Sequence, residues 1–222
     1  MSVKDRPFKI CSSCIGRLTR VMSPVCKRCG KPIGDTRQEL CRDCRQRKQT
    51  YFIQGFSVWE YDDMMKKSIA HFKYDGRREY ADFYISEMIF SYGEKLKSLH
   101  FDMVIPVPLH KEKLRFRGFN QAEVLAAGLS KALQIPLETK LLYRIKNTKP
   151  QKGLNDKERD ENIRHAFCVA SDRLRFQKKC LRVLLVDDIY TTGTTINQCA
   201  RELVCAGVNE IYFISMCTGK DF

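Results

Sequence analysis

Downstream of residue 50 the chain switches repeatedly between two hydrophobic rhythms. Gly55 to Tyr61 alternates apolar and polar residues and predicts a strand, and Met64 to Phe72 predicts a short helix. From Tyr80 to Leu99, apolar residues at Ala81, Tyr84, Ile85, Met88, Ile89, Tyr92 and Leu96 keep the spacing of an amphipathic helix. Asp102 to Pro108 predicts a strand that runs into a proline turn. Gln121 to Leu133 predicts a second long helix, packed through Val124, Leu125, Leu129 and Leu133. Ile145 to Asn162 is poor in apolar residues and rich in Lys, Arg, Asn and Asp, as expected of a mobile loop. Leu181 to Val186 is an unbroken apolar run, the mark of a strand buried on both faces. Ile196 to Cys205 predicts the next helix, stopped by Gly207 at its C-cap, and Ile211 to Met216 another buried strand. The alternation predicts an α/β fold: a mainly parallel sheet with helices on both faces.

Residues 1–50 break this rhythm. They are dominated by Cys, Lys and Arg, with almost no hydrophobic periodicity, so the expected division is a cysteine-rich module over 1–50 and the α/β domain over 51–222. This module holds 13 Lys/Arg against 4 Asp/Glu, a large share of the net +14 of the whole 222-residue chain. An excess that local suggests a polyanionic partner, although a solvated basic face would leave the same trace. No apolar run approaches a membrane span, so no membrane insertion is expected. The first residues, MSVKDRPFKICSSC, lack an apolar signal region. With eleven cysteines, the expectation is a reducing, cytoplasmic setting and metal ligation rather than disulfides.

Six of those cysteines form three CxxC pairs, Cys11/Cys14, Cys26/Cys29 and Cys41/Cys44, with eleven residues between successive pairs. A CxxC turn brings two thiolates to one metal, and two such turns complete a tetrahedral Zn²⁺ site. Cys26, Cys29, Cys41 and Cys44 make the more convincing structural zinc ribbon, since Gly30 follows the first knuckle. Cys11 and Cys14 are either left over from a second ribbon or competing ligands. Cys168, Cys180, Cys199, Cys205 and Cys217 lie in helix or strand patterns and are expected to be buried fillers.

The densest chemistry lies in VLLVDDIYTTGTT, Val183 to Thr195. A buried strand ends there in two carboxylates, Asp187 and Asp188, followed by a Thr/Gly turn and a helix. Parallel sheets bind ligands beyond the carboxyl ends of their strands. At a strand end both acids can bear on one sugar, while the turn offers backbone N–H groups and hydroxyls to a phosphate.

This segment resembles the 5-phosphoribosyl-1-pyrophosphate (PRPP) signature of the type I phosphoribosyltransferases. The resemblance implies that Asp187 and Asp188 hold the ribose hydroxyls and that Thr191, Thr192, Gly193, Thr194 and Thr195 hold the 5′-phosphate. It further implies Mg²⁺ entering with PRPP. Ile105 to Glu123 (IPVPLHKEKLRFRGFNQAE) resembles the strand and loop that receive pyrophosphate, with Lys111, Lys113, Arg115 and Arg117 as candidate contacts. Thr148 to Asn162 resembles the loop that closes over PRPP, with Lys152 and Arg159 as its candidates. No residue identifies an acceptor.

The order of cysteine module, PVPL…RGFNQAE, PQKGL…ER…N and LLVDD…TTGTT is similar to that of the ComF family across nearly the whole chain. That resemblance implies a part in DNA uptake during natural competence, with single-stranded DNA and a ComFA-type helicase as partners. Tyr51, Phe52, Phe116 and Phe119 lie among basic residues and are candidates to stack on bases, though core packing is the commoner role of such residues. Two functions remain open: a protein that grips PRPP and nucleic acid, and an active transferase that releases pyrophosphate.

Overall fold

A computed structural model describes residues 12–146, 166–170 and 181–220. Four parallel strands build the sheet: β1 (Gln54–Glu60), β2 (Met103–Pro106), β5 (Arg182–Tyr190) and β6 (Glu210–Thr218), in the order β1-β6-β5-β2. Two short strands, β3 (Leu142–Arg144) and β4 (Phe167–Val169), form a separate antiparallel pair. The cysteine module contributes two short helices, α1 (Ser12–Ile15) and α2 (Arg42–Gln46).

Side-chain alternation divides the sheet's two faces. Leu184 and Val186 of β5, with Val104, Ile214 and Met216, face α3 (Asp63–Tyr74), α4 (Tyr80–Ser98) and α6 (Gln121–Leu133). Val183 and Leu185, with Ile105, Ile211 and Phe213, face α7 (Thr194–Cys205) and the β3–β4 pair. Helices therefore cover both faces of a parallel sheet, as the two rhythms predict. Caps close the helices where the sequence offers them: Asp62 accepts from the Met65 N–H at 2.9 Å, and Asn120 accepts from the Ala122 N–H at 3.1 Å. Gly207, at φ +100°, follows the end of α7.

Three features depart from the sequence reading. First, β5 does not stop at Val186; it continues to Tyr190, with Asp187 paired to Ser215 and Ile189 to Cys217. The parallel neighbour β6 extends just as far, so the backbone ladder carries the strand through the acid pair. Second, Lys111–Arg117 is a helix, α5, rather than a loop. Third, the cysteine module, though almost without hydrophobic periodicity, joins the core of the sheet. Cys26, Cys29, Cys41 and Cys44 are buried in one cluster with Ile33, Phe52, Tyr190 and Phe213. Gly30, at φ +75°, lets the knuckle lie on β1, where a side chain would come within 2.6 Å of the Gly55 carbonyl oxygen. The segment before the ribbon also joins β1: the Val21 N–H donates to the Val58 carbonyl and the Glu60 N–H to the Thr19 carbonyl. Arg20 pairs with Glu87, a buried carboxylate of α4 whose charge needs such a partner.

Among the described residues, no helix is long and apolar enough to cross a membrane. Of the cysteines expected as fillers, Cys199 and Cys217 are buried, Cys168 is half-buried, and Cys205 is exposed. Cys180 lies outside the described residues.

Candidate ribose-phosphate site and cysteine centre

Because all four strands run parallel, their carboxyl ends share one edge of the sheet, and β5 brings Asp187 and Asp188 to it. Within a strand, adjacent residues point to opposite faces. Asp188 follows Leu184 and Val186 to the α3 side and pairs with Lys73 at 2.6 Å. Asp187 follows Val183 and Leu185 to the α7 side, where its Oδ1 accepts the Asp188 backbone N–H at 2.9 Å. The acids therefore straddle the sheet edge instead of lying side by side beyond it.

Burial, and then the charge of Asp188, push the Asp187 carboxyl up to about 7. Burial also works against the Lys73 ammonium, but the adjacent Asp188 more than offsets it and holds Lys73 above its ordinary value. A stability consequence follows for Asp187. Between about pH 4, where an unfolded carboxyl ionises, and about pH 7, the folded protein keeps a proton that the unfolded chain has lost. Stability should fall as pH rises through that window, by ~2 kcal/mol after partial solvent exposure is allowed for, at about 1.4 kcal/mol per unit. Asp187→Asn should remove this component, which denaturant titrations of both proteins from about pH 4.5 to 8 would measure; identical pH slopes would contradict it.

After Tyr190 the chain turns sharply. Gly193 adopts φ +80° and caps α7 without a side-chain hydrogen bond. Thr192 and Thr194 hydroxyls lie 3.2 Å apart. A small cleft, open to solvent, is lined by Asp187, Ile189, Tyr190, Thr191, Gly193, Thr194, Thr195 and Ile196. The structure thus gathers Asp187 and four of the five predicted turn residues around one cavity. Thr192 and Asp188 border it without lining it.

Cations converge on the same edge. Lys113 is held below its ordinary value by burial and then by three cations, Arg144, Arg117 and Lys73. Arg117 donates to Gln121 Oε1 at 3.1 Å and to the Tyr74 hydroxyl at 2.9 Å. Of the predicted basic residues, Lys113 and Arg117 belong to this group, while Lys111 and Arg115 are exposed. Lys152 and Arg159 lie outside the described residues. Lys73 and Arg144 escape the sequence reading. Lys73 sits in the last turn of an amphipathic helix, where Lys ordinarily faces water, and Arg144 borders the segment expected to be a loop.

The cysteine centre holds Cys26, Cys29, Cys41 and Cys44, all buried, with their Sγ atoms within 4.8 Å of one another. A tetrahedral Zn–S₄ centre, with Zn–S about 2.3 Å, needs sulfurs roughly 3.8 Å apart, and Cys29 and Cys41 approach to 3.5 Å. Hydrogen bonds from Cys29, Cys41 and Cys44 hold Cys26 well below the ordinary thiol range, and the bond to Cys26 in turn drives Cys29 far above it. Four thiols so close cannot all ionise without a cation, and the donor set fits zinc. Cys14 is exposed and stands apart from the cluster, and Cys11 lies outside the described residues.

A zinc ribbon packed on a parallel α/β sheet, with paired acids and a Thr/Gly turn at the carboxyl edge, defines the class of protein. The family model described as "Double zinc ribbon domain" matches residues 2–45. The chain is 32% identical over 204 residues to the competence protein ComFC of Bacillus subtilis, covering 90% of this chain and 79% of that protein. It is 30% identical over 206 residues to competence protein F of Haemophilus influenzae, covering 91% and 87%. It is 28% identical over 212 residues to the DNA utilization protein YhgH of Escherichia coli K12, covering 94% and 89%. The chain belongs to the ComF family. Among solved structures, a purine phosphoribosyltransferase from Pyrococcus horikoshii aligns with a TM-score of 0.37 and 21% identity, over 61% of this chain and 74% of that one.

Proposed function

We propose that the carboxyl edge of the sheet binds PRPP together with Mg²⁺, and that the protein handles single-stranded DNA in the cytoplasm during DNA uptake. The convergence of Lys73, Lys113, Arg117 and Arg144 on Asp187 and Asp188 carries the reading. A diol flanked by a phosphate and a pyrophosphate presents hydroxyls, for which carboxylates are acceptors, between two anions. Acids at the centre, a Thr/Gly turn on one side and cations on the other match that pattern. Mg²⁺, which favours oxygen ligands and substrate phosphates, would enter with the ligand. The relatives named for competence and DNA utilization support the part played with DNA. The cation group is also where departing pyrophosphate would be stabilised, which favours transfer to an unidentified acceptor as the second reading. Pyrophosphate release in the presence of candidate nucleophiles separates binding from transfer.

The DNA arm has a specific surface. Helix α5 buries none of its residues; Phe116 is 82% exposed and stands between the cations Arg115 and Arg117. The neighbouring Tyr74 is 59% exposed, with the Arg117 guanidinium 4.9 Å from its ring centre. Of the other stacking candidates, Phe52 and Phe119 are buried and Tyr51 is half-buried, which leaves Phe116. Stacking on one base contributes about 1–3 kcal/mol, so Phe116→Ala should weaken binding of a short oligonucleotide roughly 5- to 140-fold, at about tenfold per 1.4 kcal/mol. Its salt slope should not change, because no charge is removed. Lys111→Ala/Arg115→Ala should instead flatten the slope, by about 0.7 for each phosphate that is no longer neutralised. Fluorescence anisotropy across a salt series reads both. Salt-independent binding by the wild type, or two variants that bind like it, would sink the DNA reading.

A further inference from the structure

The cysteine ribbon reaches the phosphate turn directly. Arg47, three residues past the ligand Cys44, donates from Nη2 to the Thr192 carbonyl. Asn197, in α7, ties the same two segments. Its amide donates to the Gln49 carbonyl at 3.1 Å, and its Oδ1 accepts the Tyr51 backbone N–H at 3.0 Å. Between ribbon and turn lies Tyr190, 1% exposed, its ring stacked on Phe213 at 4.6 Å and edge-on to Phe52 at 6.5 Å. The Tyr190 hydroxyl is buried without a hydrogen-bond partner among the described residues, and a β-carbon at Gly193 would come within 2.2 Å of it. The Arg47 Nε is likewise buried without such a partner. Buried polar atoms are ordinarily hydrogen-bonded, so two such atoms on residues that touch one turn call for an explanation.

A turn that aims backbone N–H groups at an anion must aim carbonyls elsewhere, and a carbonyl drifting towards that anion would repel it. Arg47 anchors one such carbonyl. Its planar guanidinium offers a fixed fork of donors and brings a positive charge with it. We propose that Arg47 is a positioning residue of the phosphate turn, holding the Thr192 carbonyl back and placing a positive charge behind the turn, so that ribbon and anion site act as one unit. This rests on the turn being the seat of the 5′-phosphate. Asn197 and the Tyr190 ring keep the ribbon pressed against the turn, and Arg47 is the part of the ribbon whose charge the ligand would feel.

The test compares full-length wild type, Arg47→Met and Arg47→Lys for binding of Mg²⁺–PRPP and of ribose 5-phosphate, with zinc content, melting temperature and amide exchange followed in each. The expected result is at least tenfold weaker binding of both ligands by Arg47→Met, with zinc content unchanged and melting within a few degrees of wild type. Amide exchange at Thr191–Thr195 should speed up in that variant, and Arg47→Lys should recover most of the affinity. Wild-type affinity in Arg47→Met overturns the proposal. So does a loss of affinity that comes with loss of zinc and is not recovered by Arg47→Lys, because that pattern belongs to a purely structural contact. Failure of the underlying reading would look different: Asp187→Asn/Asp188→Asn would then bind Mg²⁺–PRPP as tightly as wild type.

Discussion

Cys29→Ser, or removal of zinc by a strong chelator, should lower the melting temperature of the whole chain by roughly 10–20 °C, which corresponds to ~5 kcal/mol for a protein of this size. Structural zinc supplies apparent binding energies of about 10–16 kcal/mol in small ribbon-like peptides, and a preformed site rarely exists without the metal. Here the damage would not stop at the ribbon. The four cysteines belong to the cluster of buried side chains that includes Phe52, Tyr190 and Phe213 on the α7 face of the sheet. Unravelling the knuckles would expose that face and release Arg47 from the turn. Calorimetry with metal analysis checks this. A metal-free protein that melts within two or three degrees of the loaded one would mean that the ribbon contributes little to the core beneath it.

Gly193→Ala should be the most damaging single change at the turn. The backbone there sits at φ +80°, where a side chain is strained by about 1–2 kcal/mol. The added carbon would also lie 2.2 Å from the Tyr190 hydroxyl and 2.6 Å from its Cζ. Tyr190 cannot swing aside easily, because its ring is stacked on Phe213 and flanked by Phe52. Together these effects should cost about 2–4 kcal/mol of stability. The turn itself must shift, so affinity for a phosphorylated ribose should fall more than tenfold. Denaturant melts and ligand titrations read the two effects separately. Unchanged values in both would show that the turn tolerates a side chain and is not a close-fitting cradle.

The sequence carries the sheet, because strands buried on both faces and amphipathic helices leave periodic marks that survive without a structure. Gln121–Leu133 has the same ends by pattern and by geometry. The four zinc-fitting cysteines are legible too, since CxxC spacing is a local constraint on two thiols. What periodicity cannot show is which residues from distant segments meet. Lys73 reaches Asp188 from a helix far upstream, and nothing local marks it off from the solvated Lys66 on the same helix. Arg144 is brought to the edge by β3, three residues long and too short for any pattern. The extension of β5 through Asp187 and Asp188 depends on β6 continuing beside it, a pairing that polar residues give no hint of. CxxC spacing marks ligands and says nothing of core, so the ribbon's seat on the sheet stays hidden until the knuckles are placed on β1. Phe52, Phe119 and Phe116 look alike in a basic sequence, and only burial separates two core residues from one exposed ring.

The proposed PRPP site is made by Asp187, Asp188 and the turn after them. Calorimetric titration of Mg²⁺–PRPP into wild type and into Asp187→Asn/Asp188→Asn tests it most directly, with circular dichroism confirming that the variant folds despite leaving Lys73 without its carboxylate. The expected result is one-to-one binding to wild type, tightening by up to about tenfold per pH unit as Asp187 ionises towards pH 7, and binding at least a hundredfold weaker in the variant. Equal binding by the two proteins, or none by the wild type, would contradict it.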